Sequence, residues 1–194
     1  MSILRDGLLE GRAIALAGGS PQAPDGRRQR LRVALERLGA RVEVMPSDPS
    51  LGEDEELVGE WARGVAPLHA VVYDARGPFG SGGPERLAES LERGWIAVRE
   101  IANGALIPGE ETGKVVLLGP PPGSGRHAEA ARAGLENLAR TLSVEWARYA
   151  VTAAMVAPGL HTAEEEISEL VCFLVSPAGE YLSGCRLELG AAER

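Results

Sequence analysis

Aromatic residues and positive charge are both scarce in this sequence of 194 residues. Phe, Trp and Tyr together make up 4% of the chain, whereas alanine, leucine and glycine are common. This composition favours closely packed helices over surfaces that stack on sugars or nucleobases. The formal net charge of −8 at pH 7 argues against nucleic acid as a partner, because phosphate binding depends on clustered Lys and Arg.

Long apolar runs and metal-ligand patterns are also missing. No stretch approaches the ~18 apolar residues of a membrane span, and Arg5, Asp6 and Glu10 interrupt any signal-peptide pattern. The two cysteines, Cys172 and Cys185, lack metal-ligand spacing and are predicted to lie in a buried helix and in a strand. We therefore expect no membrane association, no metal, no disulfide scaffold and a reduced, cytoplasmic setting.

The apolar residues, 44% of the chain, alternate between short buried runs and helical stripes. The runs predict strands at Arg12–Ala17, Arg41–Met45, Ala70–Tyr73, Val115–Leu118, Ala153–Val156 and Arg186–Leu189. The stripes predict helices at Arg27–Leu38, Glu56–Gly64, Pro84–Leu106, Ala128–Arg148 and Glu164–Val175. This alternation predicts an α/β fold with a parallel sheet covered on both faces. Without a linker or an internal repeat, residues 1–194 are predicted to form one domain.

Several segments occur in an order typical of one enzyme family. They are Leu9–Gly18, Leu35–Val42, His69–Gly77, Lys114–Gly159, Thr162–Leu174 and Ser176–Gly190. Taken together, and covering most of the chain, they resemble the short-chain dehydrogenases/reductases (SDRs). The resemblance implies a Rossmann-like, doubly wound parallel sheet. It also implies a site for NAD or NADP and a catalytic set of Ser, Tyr and Lys.

The cofactor turn of the family is altered in this chain. Its Thr-Gly-x-x-x-Gly-x-Gly motif falls on residues Ala17–Pro24. Glycines there let the backbone approach the pyrophosphate, but only Gly18 remains; Gln22 adds a side chain and Pro24 removes an amide donor. Pro46 stands where an acidic residue for NAD, or a basic one for NADP, should end the second strand. We therefore expect no dinucleotide cofactor.

Two other features bear on that cleft. Arg27 and Arg28 leave open a different mode of phosphate binding, although arginines at a solvated helix start are the ordinary interpretation. The family's Asn-Asn-Ala-Gly turn becomes Tyr73-Asp74-Ala75-Arg76. Asp74 is then the carboxylate best placed at a strand end, either to cap the following loop or to pair with Arg76.

The catalytic residues that the resemblance implies are replaced as well. The serine position falls on Gly119 and Pro120, the tyrosine on Ala128, the lysine on Arg132 and the asparagine at or near Trp95. An arginine retains the charge of the lysine but has no tyrosine to activate. A new site around His127, Glu129 and Arg132 is the alternative, against the simpler interpretation of an exposed helix start with a favourable acidic residue.

Two segments that are normal in the family are predicted to be missing. Pro158 and Gly159 lead almost directly into the last helix, which leaves no room for the helical lid that closes over the substrate in catalytic members. The acidic loop after Met45 similarly suggests that one helix and one strand are deleted.

The subunit contacts of the family are the part predicted to remain. In SDRs the helix matching Arg132–Trp146 joins a four-helix bundle across a two-fold axis. The last helix and strand form the second contact. The predicted interface residues are Gly134, Leu135, Leu138, Ala139, Leu142 and Trp146. The competing interpretation is that this stripe faces its own sheet.

The leading hypothesis is a non-catalytic SDR-type subunit that pairs with an intact SDR in a heterodimer or an α2β2 tetramer, or with itself. The family suggests a partner that acts on 3-oxoacyl or 3-hydroxyacyl thioesters. One alternative is a self-assembling sensor that binds a small ligand or nucleotide. The other is an NAD(P)-dependent oxidoreductase with a rearranged site.

Overall fold

Strands and helices alternate along the described part of the chain. The computed structural model describes residues 4–19, 26–46, 55–77, 83–109 and 112–190. The strands are β1 (Ala13–Gly18), β2 (Arg41–Val44), β3 (Ala70–Asp74), β4 (Gly113–Leu118), β5 (Val151–Pro158) and β6 (Cys185–Leu189). The α-helices are α1 (Arg27–Arg37), α2 (Glu55–Val65), α3 (Pro84–Ile101), α4 (Ala128–Glu145) and α5 (Glu164–Val175).

All neighbouring strands pair in parallel, in the order β2-β1-β3-β4-β5-β6. This arrangement confirms the predicted Rossmann-like fold. Strands β3 and β4 are buried on both faces, which explains why they read as continuous apolar runs rather than as alternating ones. The chain moves outward from β1 to β2 and then crosses back to β3. The carboxyl ends of β1 and β3 therefore flank the switch point at which such sheets bind ligands.

The helices cover the sheet in two layers. Helices α2, α3 and α4 pack on one face, and α1 and α5 pack on the other. Strand β4 shows how alternate residues serve both layers: Val115 and Leu117 belong to the first core, and Val116 and Leu118 to the second. Cys172 is buried in α5 and Cys185 lies in β6, as predicted.

The connection after β5 is short, as predicted. Among the described residues, β2 is the sheet edge with no strand outside it, and α2 precedes β3. The predicted acidic loop after Met45 lies mostly in residues 47–54, outside the described residues. After β5, the turn at Gly159 is held by hydrogen bonds: the Gly159 amide donates to Leu189 O at 2.5 Å and to Thr162 Oγ1 at 2.8 Å. Helix α5 follows at Glu164, so no lid lies between β5 and α5.

Two helix boundaries differ from the prediction. Helix α3 ends at Ile101 and continues as a π-helical turn, Ala102–Leu106, in which the Ile107 amide bonds to Ala102 O. Helix α4 ends at Glu145 rather than Arg148, because a 3-10 turn follows and Ala150 adopts a left-handed conformation that turns the chain into β5. Among the described helices, none has the length and apolar character needed to cross a bilayer.

Candidate functional site

The carboxyl ends of β1 and β3 are joined directly at the switch point. The Gly19 amide donates to Asp74 O at 2.7 Å. Gly18 has a φ of 71°, and a Cβ there would lie 2.6 Å from the same carbonyl oxygen. Only glycine fits this close approach. Gly18, the one glycine retained from the cofactor motif, is thus required by the strand contact itself, whether or not a phosphate is bound.

Arg76 occupies the cleft just beyond β3. Its Nε and Nη2 donate to Asp74 Oδ1 and Oδ2 at 2.9 and 2.8 Å. Its Nη1 donates to both carboxylate oxygens of Glu164, at 3.0 and 2.8 Å. The Arg76 side chain is 1% exposed, against 9% for Asp74 and 23% for Glu164. The prediction that Asp74 pairs with Arg76 is therefore confirmed, and Glu164 joins the pair.

The two carboxylates keep Arg76 charged inside the protein. Burial by itself lowers the pKa of Arg76, but the hydrogen bonds and charges of Asp74 and Glu164 outweigh burial and raise it. Because Glu164 is the first residue of α5, the triad links the end of β3 to the start of that helix. We call Asp74, Arg76 and Glu164 the Arg76 triad.

Arg28 contacts the carboxyl ends of β1 and β2, beside the Arg76 triad. Its Nη2 donates to Leu16 O in β1 at 3.0 Å and to Met45 O after β2 at 2.6 Å. Burial lowers the pKa of Arg28, and the charge of Asp74 partly opposes that shift. The expectation of a solvated Arg28 was therefore wrong, because its side chain is long enough to reach back from the first turn of α1 to the strand ends. Pro46, at the position of the ribose-binding residue, lies exposed beside this contact.

Arg132 lies at the position that the SDR resemblance gives to the catalytic lysine. Its Nη1 donates to Pro120 O at 2.8 Å and to Pro158 O at 2.9 Å, which joins the ends of β4 and β5. The residue is 5% exposed. Burial, followed by the charge of Arg186, lowers its pKa, while Glu129 and Glu188 oppose the shift. Ala128, at the tyrosine position, is 1% exposed and contributes only a methyl group.

The residues predicted to surround the site are only partly brought together. Arg132 and Pro120 are in contact, but Trp95 is not near them: its ring stacks on Trp146 at 6.3 Å, in the contact between α3 and α4. Trp146 follows Arg132 by 14 helical residues, roughly 20 Å, so Trp95 does not stand in for the family's asparagine. Gln22 and Pro24 lie outside the described residues.

The alternative site around His127 is not assembled. His127 is the residue before α4 and makes no side-chain cap. Glu129 is largely exposed and reaches Arg132 Nε only at 3.7 Å. Among the described residues, no group of three His, Cys, Asp or Glu side chains is arranged to hold a metal ion.

The predicted interface stripe of α4 lies mainly in the chain's own core. Leu135, Ala139 and Leu142 are at most 1% exposed and pack in the layer beneath α4, which corrects their assignment to a subunit contact. The remaining members face α3 or its edge: a Cβ on Gly134 would lie 3.0 Å from the Leu91 side chain, while Leu138 and Trp146 join the same core. The apolar stripe was therefore predicted correctly as one face of a helix, but that face packs on the chain's own sheet.

The outward face of α4 is instead formed by exposed residues that the hydrophobic pattern did not mark. They include the charged Arg140, whose side chain is 65% exposed. The uncharged ones are Ala133, Asn137, Thr141 and Val144, spaced at i, i+4, i+8 and i+11. Val144 is 74% exposed. We call these four residues the outer α4 stripe. In the sequence, the one sign of this stripe is that its residues lie two positions from those of the buried stripe, which places them on the opposite side of the helix.

Tyr73 lies beneath the cleft and should titrate late. Burial, with a smaller contribution from the charge of Asp74, raises its pKa from 10.0 to about 12. A raised folded-state pKa favours the neutral phenol, so its contribution to stability is complete below pH 10 and is lost as pH rises from 10 to 12. We expect absorbance titration at alkaline pH to show a late tyrosine ionisation coupled to unfolding. Tyr73→Phe should abolish that step; its persistence in the variant would contradict the assignment.

Comparisons with known proteins support the fold. No model of a protein family matches the chain. A solved structure of citronellol catabolism dehydrogenase (AtuB) from Pseudomonas aeruginosa PAO1 is similar, with a TM-score of 0.73, 24% identity and 97% of each chain covered. Hydroxysteroid dehydrogenase from Escherichia coli gives a TM-score of 0.69 at 14% identity, covering 96% of this chain and 99% of that one. At such identities the similarity establishes an SDR-like fold alone.

Proposed function

We propose that this chain is a non-catalytic SDR-type subunit that assembles with an intact SDR oxidoreductase. The observation that carries the proposal is the buried Arg132, which donates to Pro120 O and Pro158 O at the position of the catalytic lysine. A lysine in that role must reach a tyrosine and a cofactor. Arg132 instead satisfies two strand-end carbonyls, and the adjacent position is the buried Ala128.

The contacts at the carboxyl ends of β1 and β3 support the same proposal. A dinucleotide needs free backbone donors and space at the ends of β1 and β3. There the Gly19 amide is already bonded to Asp74 O, the Arg76 triad occupies the end of β3, and Arg28 covers the ends of β1 and β2. These contacts use donors at the strand ends that a pyrophosphate would otherwise find free.

The outer α4 stripe supports the assembly part of the proposal. The four stripe residues are uncharged, and Arg140, exposed on the same face, is paired with Glu136. Charged residues are depleted at the centres of subunit contacts, where desolvating them is unfavourable. Beside the stripe, Leu91 and Trp95 of α3 are only partly buried by the chain's own core. A partner helix pair of SDR type would cover both. The partner's substrate, a 3-oxoacyl or 3-hydroxyacyl thioester, and a cytoplasmic setting remain expectations from the family resemblance.

The chain alone should bind neither NAD nor NADP. Restoring only the tyrosine and the lysine of the family's catalytic set should not produce cofactor-dependent activity. Calorimetry at millimolar cofactor should show no saturable heat. In Ala128→Tyr/Arg132→Lys, tyrosine would overfill a site that is 1% exposed, and lysine would lose the contacts of Arg132 with two carbonyls. We expect no cofactor-dependent turnover and a loss of about 1–3 kcal/mol of stability.

Arg132→Lys alone is the matched control for the stability loss that comes from Arg132 itself. A micromolar dissociation constant for either cofactor, about −8 kcal/mol, would contradict the proposal. Saturable nucleotide binding without turnover would favour the sensor. Cofactor-dependent turnover by the unmodified chain would identify an oxidoreductase with a rearranged site.

A further inference from the structure

The polar groups around Arg76 form a site shaped for a planar cation. Four hydrogen bonds join its guanidinium to Asp74 and Glu164, and both carboxylates are engaged through two oxygens. The contact of Nε and Nη2 with the two oxygens of Asp74 is paired and planar, which distinguishes a guanidinium from an ammonium, whose donors lie at a single point. The contact with Glu164 is made by Nη1 alone. With 1% of the Arg76 side chain exposed, water contributes little to holding it.

We infer that the cleft at the end of β3 is a self-occupied cation site: Asp74 and Glu164 form a receptor for a guanidinium group, and Arg76 is its built-in occupant. Asp74 ends β3 and Glu164 starts α5, so the two carboxylates belong to segments 90 residues apart in the chain. Without a cation between them they would repel each other in a buried setting. Arg76 therefore links the end of β3 to the start of α5, and no diffusible ligand is needed for that link.

The sign of the charge decides which ligands the site accepts. Two carboxylates attract a guanidinium and repel a phosphate. Removing the Arg76 side chain would consequently open a site for a small guanidinium compound and not for a dinucleotide. This property follows from the charges of Asp74 and Glu164, although the charge of Arg28 acts on Asp74 as well. The preference for a guanidinium holds whether or not the chain assembles with a partner. An experiment on Arg76 is therefore independent of the experiments on assembly.

Chemical rescue of Arg76→Ala tests the inference. The variant leaves the buried Asp74 and the partly buried Glu164 without their cation, and we expect its melting temperature to fall by roughly 10 °C. Millimolar methylguanidinium should restore about half of that loss along a saturating curve, whereas urea at the same concentration should not. NADP should produce no shift. If the variant does not fold unaided, the yield on refolding with and without methylguanidinium is the readout.

Two controls separate binding in the cleft from general effects. Arg140→Ala removes an arginine of the same size from an exposed pair with Glu136, in which the Arg140 side chain is 65% exposed, and should show neither a large loss nor a rescue. Asp74→Asn/Arg76→Ala/Glu164→Gln keeps the space and removes the charge, so methylguanidinium should not stabilise it. Equal shifts in Arg76→Ala and either control, no shift or refolding gain in Arg76→Ala, or stabilisation of Arg76→Ala by NADP would each overturn the inference.

Discussion

Replacing Arg76 with methionine is expected to lower the free energy of unfolding by about 3–5 kcal/mol. Methionine fills similar space but leaves the buried Asp74 and the partly buried Glu164 without their cation. Most domains are stable by only about 5–15 kcal/mol, so this single change should remove a large part of the total. Denaturant titration followed by circular dichroism measures the loss.

The neutral triad decides whether charge is the cause. Asp74→Asn/Arg76→Met/Glu164→Gln removes all three charges together, and replacing a complete buried ion network is often close to neutral. We expect the triple variant to recover more than half of the stability lost by Arg76→Met. A triple variant less stable than Arg76→Met would show that the individual hydrogen bonds, rather than the unpaired charges, dominate.

The fold could be predicted because its determinants are local in the sequence. Buried strands such as Ala70–Asp74 are continuous apolar runs, and parallel strands alternating with helices permit few arrangements. The short connection after Pro158 was equally visible, because counting residues up to Glu164 excludes a lid. Boundaries were less accurate where the backbone changes helix type, as in the turn Ala102–Leu106.

The contacts that arginine side chains make at the ends of β1 and β3 could not be predicted from the local sequence pattern. Arg76 and Glu164 are 88 residues apart, and no periodicity links them before the sheet brings β3 beside the start of α5. Arg28 was misassigned for a related reason: its position at a helix start indicates solvent, whereas its guanidinium reaches Leu16 O and Met45 O. The sequence resemblance predicted that the family's functional groups are replaced, and the geometry shows that Arg76, Arg28 and Arg132 contact the ends of the central strands.

The faces of α4 illustrate a limit of hydrophobic periodicity. Residues such as Leu135 and Leu142 give the same stripe whether they pack on the chain's own sheet or on another subunit. Once the structure assigns that stripe to the core, the residues available to a partner are those the pattern ignored. Asn137, Thr141 and Val144 are among them, and they define the variant that tests assembly.

Val144→Glu is expected to disrupt assembly and leave the fold intact. Val144 is 74% exposed, so in the isolated chain the change should alter stability by no more than about 0.5 kcal/mol. In a contact centred on the outer α4 stripe it would bury an unpaired carboxylate at a cost of several kcal/mol. About 3 kcal/mol corresponds to a loss of affinity of roughly 100-fold. Size-exclusion chromatography with light scattering, with the chain alone and co-expressed with SDRs encoded beside it, measures the assembled mass.

Val33→Glu is the matched control, since it places the same substitution on α1, on the opposite face of the sheet, where Val33 is 50% exposed. It should retain the assembled mass of the unmodified chain. Loss of assembly in both variants would indicate a general effect of added charge, and loss in Val33→Glu alone would move the contact to the α1 and α5 layer. An unmodified chain that stays at 20.4 kDa, alone and beside every such SDR, would remove assembly as its function and leave the sensor and the rearranged oxidoreductase as the hypotheses to test.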